Sequence, residues 1–405
     1  MTAQDVLLKE LVGKRRAGFS LPGAFYTSPD VFSAEVERFI TSQWIMAGHI
    51  SQIPARGDFF RFEAAGYSLI VVRDANDQVR AMQNVCRHRG AQVCEPMKGN
   101  ARRLYCRYHA WTYGLDGSLV SFRHMPDGVE KADFGLTLCG VAVFEGMIFV
   151  SIDPGRAPDF DLIAEHVRRH WERFDLADCE IAAEEVYVLN ANWKLAVENN
   201  LECYHCLPSH PEFSSVNAFV RHDEKVSAEA VAEFTQYSSD WRRKMAEAGV
   251  IADRTGFLAV GGQLCRAGAS PLGPGFTTGS RDGAPVAPLL GRVTHPDESV
   301  TTGCFGFHSY MVAMSDYAAT FTFIPQGPDL THVVAKWFVR RGAASGRDYD
   351  PAELRWLWDE TTRQDKDIVE LNARGVGSRG YEPGPYSELE WMVDDFVVRY
   401  LALMS

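Results

Sequence analysis

A chain of 405 residues, with 46% hydrophobic, 23% charged and 12% aromatic side chains, has a globular composition and length for about two or three domains, which excludes disordered and collagen-like classes. Its 41 Lys and Arg stand against 53 Asp and Glu, a net charge of −12, which disfavours non-specific binding to nucleic acid. No apolar run approaches the roughly 18 residues of a membrane span, the start Met1-Thr2-Ala3-Gln4-Asp5 has no signal-peptide pattern, and nine cysteines in such a chain predict reduced thiols and metal ligands in the cytoplasm, not a disulfide framework.

Residues 1 to about 42 read as helices broken by Pro22-Gly23. From Trp44 to about Ile152 the chain changes to short β-branched and aromatic runs, such as Phe59-Phe60-Arg61-Phe62 and 68–73, separated by Gly, Asp and Asn. That pattern predicts a small antiparallel β domain. Within it, 141–152 is the most apolar stretch, interrupted by Glu145, and reads as buried strand. Beyond Pro154, helices are predicted over 165–174 and 193–204, the second capped by Asn192 and ended near Leu207-Pro208. Residues 261–290 are dense in Gly, Pro, Ser and Thr and predict a long loop, with partial disorder open for 225–290. Strands follow over 317–324 and 331–339, joined by Pro325-Gln326-Gly327-Pro328-Asp329. The last long helix is expected to start near Pro351 and run to about Ala373.

Two constellations carry chemistry. In the β domain, Cys86-Arg87-His88 and Cys106-Arg107-Tyr108-His109 each offer one thiolate and one imidazole. A zinc finger groups like ligands together, whereas mixed loops suit two adjacent irons, one taking both cysteines and the other both histidines. This is the ligand set of a Rieske [2Fe–2S] cluster, whose neutral imidazoles raise its potential. A mixed-ligand zinc site and ordinary buried residues are the alternatives. Cys94, lacking a paired His, reads as a small core residue.

The second constellation is His205 and His210, five residues apart at the end of the predicted helix. Two His and one carboxylate form the facial triad of non-haem Fe(II) oxygenases; a zinc pair or satisfied polar groups are the alternatives. The carboxylate must come from elsewhere. In the run from Asp359 to Glu370, Asp365 shares a helix face with Ile368 and Val369, while Asp367 and Glu370 fall nearer the solvated side. A wholly solvated acidic face is the competing reading.

In order and spacing these motifs, with Glu202 three before His205 and Gln364 before Asp365, make the chain resemble the α-subunit of a Rieske non-haem iron oxygenase across nearly its whole length. Glu198-Asn199-Asn200-Leu201-Glu202-Cys203-Tyr204-His205-Cys206 and Gly384-Pro385-Tyr386-Ser387 are similar to the glycine betaine, stachydrine and choline branch. The resemblance implies an α+β fold: a small antiparallel Rieske domain, 43–155, inserted into a helix-grip catalytic domain made of 1–42 and 156–405. It implies Cys86 and Cys106 on one cluster iron, His88 and His109 on the other, and His205, His210 and Asp365 on a mononuclear iron. It further implies a homotrimer, O₂ as co-substrate, and electrons from NADH or NADPH through a separate flavin and iron–sulfur reductase. Glu202 stands where the wider superfamily has Asp, and by resemblance it links the cluster of one subunit to the mononuclear iron of its neighbour.

The expected activity is oxidative N-demethylation of a quaternary ammonium compound. Recognition of a permanent cation rests on aromatic faces, for which Phe305, Phe307, Tyr310, Tyr317, Phe321 and Phe323 are candidates. Two other functions share part of this pattern. One is a Rieske oxygenase acting on an aromatic acid; the other is a Rieske electron carrier without chemistry of its own, against which the second constellation argues.

Overall fold

A computed structural model describes residues 3–220 and 225–404. The chain divides into two compact units, Thr41–Pro158 and the combination of Met1–Ile40 with Asp159–Ser405. Among the described residues, no helix is long and apolar enough to cross a membrane.

The smaller unit is antiparallel β throughout. Strands Ile45–His49, Met147–Ser151, Leu138–Phe144, Val79–Gln83, Tyr67–Arg73, Asp58–Ala64 and Lys98–Asn100 lie in that order in one sheet, and Leu104–Tyr105, Thr112–Tyr113 and Leu119–Ser121 form a second. The apolar stretch read as one strand is a hairpin. Glu145 and Gly146 both take positive φ (47° and 78°), the conformation of a two-residue turn whose twist matches the paired strands. Phe59, Ile70, Val72, Met82, Trp111 and Tyr113 pack beneath the loops that carry Cys86 and Cys106.

The larger unit is built on a seven-stranded antiparallel sheet ordered Cys179–Leu189, Leu330–Arg340, Ala318–Gly327, Ser309–Ala313, Ser299–Phe305, Gln263–Pro271 and Leu258–Val260. Opposed residues share a face of a sheet. Gly303 and Phe305 face Trp171 of the helix Phe160–Trp171: a Cβ on Gly303 would sit 2.8 Å from the indole, and the Phe305 ring lies 6.4 Å from it. The other face carries Thr302, Cys304, Tyr310, Phe321 and Phe323. Against that face packs the helix Pro351–Val376, whose Asp359 accepts the Tyr187 hydroxyl at 2.5 Å.

Several elements depart from expectation. Residues 263–271 are a strand, not loop, entered through Gly261 and Gly262 at positive φ. Residues 228–247 form a helix of twenty residues capped by Ser227, which corrects the reading of 225–290 as open to partial disorder, while 272–290 is irregular as the loop reading of 261–290 expects. The last helix is Trp391–Met404, beyond the one from Pro351.

The larger unit is pinned by a buried ion pair. Glu35 takes the ammonium of Lys194, with both side chains fully buried. It also accepts Trp193 Nε1 at 2.8 Å and the Tyr400 hydroxyl at 2.5 Å. Burial pulls the Lys194 pKa down while Glu35 opposes this. The pair joins the helices Pro29–Arg38, Trp193–Leu201 and Trp391–Met404. Glu35→Ala, which strands a buried ammonium, is expected to cost about 3–5 kcal/mol in urea unfolding. A loss below about 1 kcal/mol would remove this pair as a determinant of stability.

Candidate active site

The helix Trp193–Leu201 ends earlier than its periodicity predicts. Glu202, at its C-cap, is extended. Its carboxylate accepts the backbone N–H groups of Tyr204 and His205, the latter at 3.2 Å. This pulls the chain out of the helix and turns His205 back. His205 Nδ1 stands 2.5 Å from Glu202 Oε1, so the imidazole is held with Nε2 facing the opposite way, 3.2 Å from Asn199 Nδ2. His210 follows the short helix Cys206–Ser209 and is held at Nδ1 by Gln364 Oε1, 2.8 Å away. Gln364 in turn donates to Glu212 Oε2 at 2.9 Å. Asp365, next on the same helix as Gln364, places Oδ1 3.0 Å from His210 Nε2 and 3.3 Å from His205 Nε2.

The donor atoms of His205, His210 and Asp365 lie within 4.8 Å of one another, and among the described residues no other set of three or more converges this way. Burial opposes charge on His205, yet Asp365 and Glu202 raise its pKa to about 9. Burial likewise opposes charge on Asp365, yet the two imidazoles hold its carboxyl below the ordinary value. Such a nest holds protons where a divalent cation would replace them. Two Nε2 atoms and one carboxylate oxygen, each imidazole oriented through its other nitrogen, fit a mononuclear iron with open positions.

The other constellation is two copies of one turn. Cys86 N–H donates to Ala91 O at 2.8 Å and Gly90 N–H to Cys86 O at 3.0 Å; Cys106 N–H donates to Trp111 O at 2.8 Å and Ala110 N–H to Cys106 O at 3.0 Å. Gly90 and Ala110 close the two turns at positive φ, 75° and 63°. The thiols are buried, whereas His109 is exposed and His88 half-buried. Burial first, and the adjacent Cys86 second, raise the Cys106 pKa. The His88 and His109 rings stand 4.6 Å apart, with Trp111 stacked on His88 at 5.0 Å. His88 Nδ1 is buried without a hydrogen-bond partner, an orphan that a metal would satisfy. Two buried thiols with two imidazoles nearer the surface fit a two-iron cluster with thiolates inside and imidazoles outward.

Beside His205 and His210 opens a cavity of about 910 Å³. Of the six aromatic candidates, Tyr310, Phe321 and Phe323 line it. The other three lie elsewhere: Phe305 packs on Trp171, Phe307 on Phe39 and Phe396, and the Tyr317 hydroxyl donates to Gly279 O at 3.0 Å. Sequence reasoning missed Phe213 and Trp358. They complete a row of rings from His210 through Phe213 (6.3 Å), Trp358 (5.8 Å) and Phe321 (5.6 Å) to Tyr310 (6.4 Å). The spacing of Phe213 three after His210 was the available signal.

Two more features were not foreseen. Cys203 and Cys206 are joined as a disulfide, Cα–Cα 4.9 Å, across the turn that bears His205. This corrects the expectation of reduced thiols throughout; the tight turn, with Cys206 N–H donating to Cys203 O at 3.2 Å, brings the two within bridging reach. A second cavity, about 370 Å³, runs from Glu202 and His205 to Glu198, Tyr26 and Tyr386. Burial raises Glu198 to about 8, despite the Tyr26 hydroxyl donating to it at 3.0 Å.

The match to known proteins covers both units. Residues 43–144 match the Rieske [2Fe-2S] domain, and residues 176–405 the catalytic domain of the ring hydroxylating alpha subunit. The glycine betaine monooxygenase oxygenase subunit of Chromohalobacter salexigens is 33% identical over 96% of this chain and 87% of its own length. The solved structure of a quaternary ammonium Rieske monooxygenase aligns with TM-score 0.72 at 20% identity, over 98% of both chains. A naphthalene 1,2-dioxygenase from Rhodococcus sp. aligns with TM-score 0.64 at 20% identity, over 99% of this chain and 98% of that one.

Two outcomes follow from the geometry. His210→Ala or Asp365→Ala is expected to lower bound iron from about three to about two per chain while leaving the cluster's visible spectrum intact; an unchanged iron count would displace the triad. The unfolded Glu198 carboxyl ionises near 4.5, but the folded one only near 8, so stability falls as pH rises between those values. Glu198→Gln is expected to flatten that decline in thermal melts, matching the parent at pH 4 and exceeding it at pH 9.

Proposed function

The chain belongs to the Rieske non-haem iron oxygenase α-subunits, and on that premise we propose that it N-demethylates a betaine-type quaternary ammonium compound such as glycine betaine or stachydrine. In this family a Rieske [2Fe–2S] cluster delivers electrons one at a time and a mononuclear iron supplies oxygen activation. Here Cys86, Cys106, His88 and His109 would hold the first, and His205, His210 and Asp365 the second. O₂ and two electrons, drawn from NADH or NADPH by a separate flavin and iron–sulfur reductase, together with two protons, convert one N-methyl group to formaldehyde. The other products are one water and the demethylated amine.

The observation that carries this reading is the row of rings that runs from the imidazole of His210 along the cavity wall. A trimethylammonium group donates no hydrogen bond, but it is attracted to aromatic faces by roughly 0.5–2 kcal/mol per ring. Phe213, Trp358, Phe321 and Tyr310 offer such faces beside the triad, and their apolar bulk excludes water. Glu202 and Gln364 fix the two imidazoles, and so set which way the open positions point. The same wall would also take an arene, which keeps oxidation of an aromatic acid as the competing outcome of the assay. A carrier of electrons alone has no use for the triad or the cavity.

We assign Glu202 a second role, linking this chain's iron site to a cluster histidine of a neighbouring subunit in a homotrimer. Glu202→Ala is expected to keep both metal sites filled and to slow turnover by at least about 100-fold; normal turnover would remove the link. The assay that decides the reaction pairs formaldehyde release with NADH consumption, using iron-replete protein and a surrogate reductase. Formaldehyde matched to NADH with a betaine is the expected result. Consumption stimulated only by an aromatic acid would overturn the demethylase reading.

A further inference from the structure

One feature of the main cavity is not explained by binding a cation. Arg266, on the strand Gln263–Pro271, lies in register with Cys304, which is paired with Tyr310, which is paired with Phe321. Directly opposed residues point to one face, so Arg266 closes the far end of the line of rings that begins at His210. Its guanidinium carbon sits 4.8 Å over the Phe257 ring, and Nη1 is 3.8 Å from the Met392 sulfur. Among the described residues, no carboxylate lies within 4.0 Å of it, whereas Arg173 and Arg355 are paired with Asp297 and Glu185. Arg254 lines the same end, held by the Ser270 hydroxyl at 2.6 Å. Both guanidinium groups act electrostatically on Tyr310, although burial dominates its pKa.

The cavity's charged lining is mixed: Asp365 and Glu202 stand at the triad, Lys225 is paired with Glu388 at 3.3 Å and Lys366 with Glu370 at 2.5 Å, and Arg266 and Arg254 stand on the sheet side. A half-buried guanidinium pressed between an aromatic ring and a thioether has given up part of its water without gaining an anion. It is a fork of donors suited to a carboxylate.

We propose that Arg266, assisted by Arg254 and the Tyr310 hydroxyl, is the carboxylate-binding end of the substrate cavity, so that the substrates are zwitterions and not simple ammonium alcohols. This rests on the demethylase reading and deepens it. A cation without a carboxylate, such as choline, would seat its ammonium on the rings but leave the arginine unpaired and add a like charge to the pocket. A zwitterion offers the arginine a carboxylate while its ammonium rests on the rings. The volume, about 910 Å³, is near the top of the usual range of roughly 300–1,000 Å³ for small-molecule sites.

The test uses the full-length oxygenase loaded with both metal centres, with Arg266→Gln and Arg266→Lys beside the parent. The ligands are glycine betaine, stachydrine, choline and 4-methoxybenzoate. Iron content and the cluster spectrum are checked first, and the conservative Lys variant guards against misfolding of the Gln variant. For the parent, a betaine is expected to have the lower KM, with choline weaker by about ten-fold or more. In Arg266→Gln the betaine KM is expected to rise roughly 10- to 100-fold with kcat nearly unchanged, choline is expected to bind no worse, and Lys to recover part of the loss. An unchanged betaine KM in Arg266→Gln, or equal use of choline and betaine by the parent, would overturn the assignment. Should no quaternary compound release formaldehyde, the demethylase reading falls. Calorimetric titration of 4-methoxybenzoate into the parent and Arg266→Gln then decides the arginine separately: weakened binding supports it and equal binding overturns it.

Discussion

The active site hangs on one buried ion pair. Lys194 and Glu35 sit at zero exposure, where an unpaired charge is far more costly than at the surface, so the helix Trp193–Leu201 has little freedom to slide or rotate. Its C-terminal residue is followed at once by Glu202, whose carboxylate holds both the backbone and the imidazole of His205. The orientation of His205, a proposed metal ligand, is thus set at one end by a hydrogen bond and at the other by a salt bridge two helical turns upstream. Tyr400 and Trp193 share the same carboxylate, which makes the anchor a network and not a single contact.

The two constellations are built in different ways. The Cys86 and Cys106 loops are local devices: each closes on itself through two backbone hydrogen bonds and a residue at positive φ, and each needs only the packed rings of Trp111 and Tyr113 beneath it. The triad is a tertiary device. Asp365 comes from a helix about 160 residues beyond the histidines, and that helix is docked on the sheet through Tyr187 to Asp359, Asn190 to Glu370 and Arg355 to Glu185.

That contrast explains what could be read from the chain beforehand. Cys-x-His and Cys-x-x-His are short and bear their own turns, so spacing alone nominated the β-domain residues proposed as ligands. His205, His210 and Asp365 were nominated by spacing and by family resemblance, and the helix face shared with Ile368 and Val369 ranked Asp365 over Asp367; what no local pattern carries is that this face meets His205 and His210. Arg266 was invisible because its strand is written in small residues, Ala267-Gly268-Ala269, and small residues read as loop. They are small for packing reasons: a side chain on Gly268 would collide with Arg254, as one on Gly303 would with Trp171. The helices Ala228–Glu247 and Trp391–Met404 escaped for the opposite reason. The first is so charged that its apolar face is thin, and the second so apolar that it lacks a polar face to set its period.

The anchor at Glu35 also has a bearing on how the polypeptide is made. Its lysine partner is 159 residues downstream and its tyrosine partner 365, and the whole of Thr41–Pro158 is translated between Glu35 and Lys194. On the ribosome, at roughly 5–20 residues per second, the inserted β unit is complete while Glu35 still waits for its lysine. The native set of partners around Glu35 cannot be complete until the helix Trp391–Met404, which brings Tyr400, has emerged. Assembly of the iron–sulfur centre can therefore begin on a nascent chain whose oxygen-activating half is still open, and that half closes only after its last helix has been synthesised.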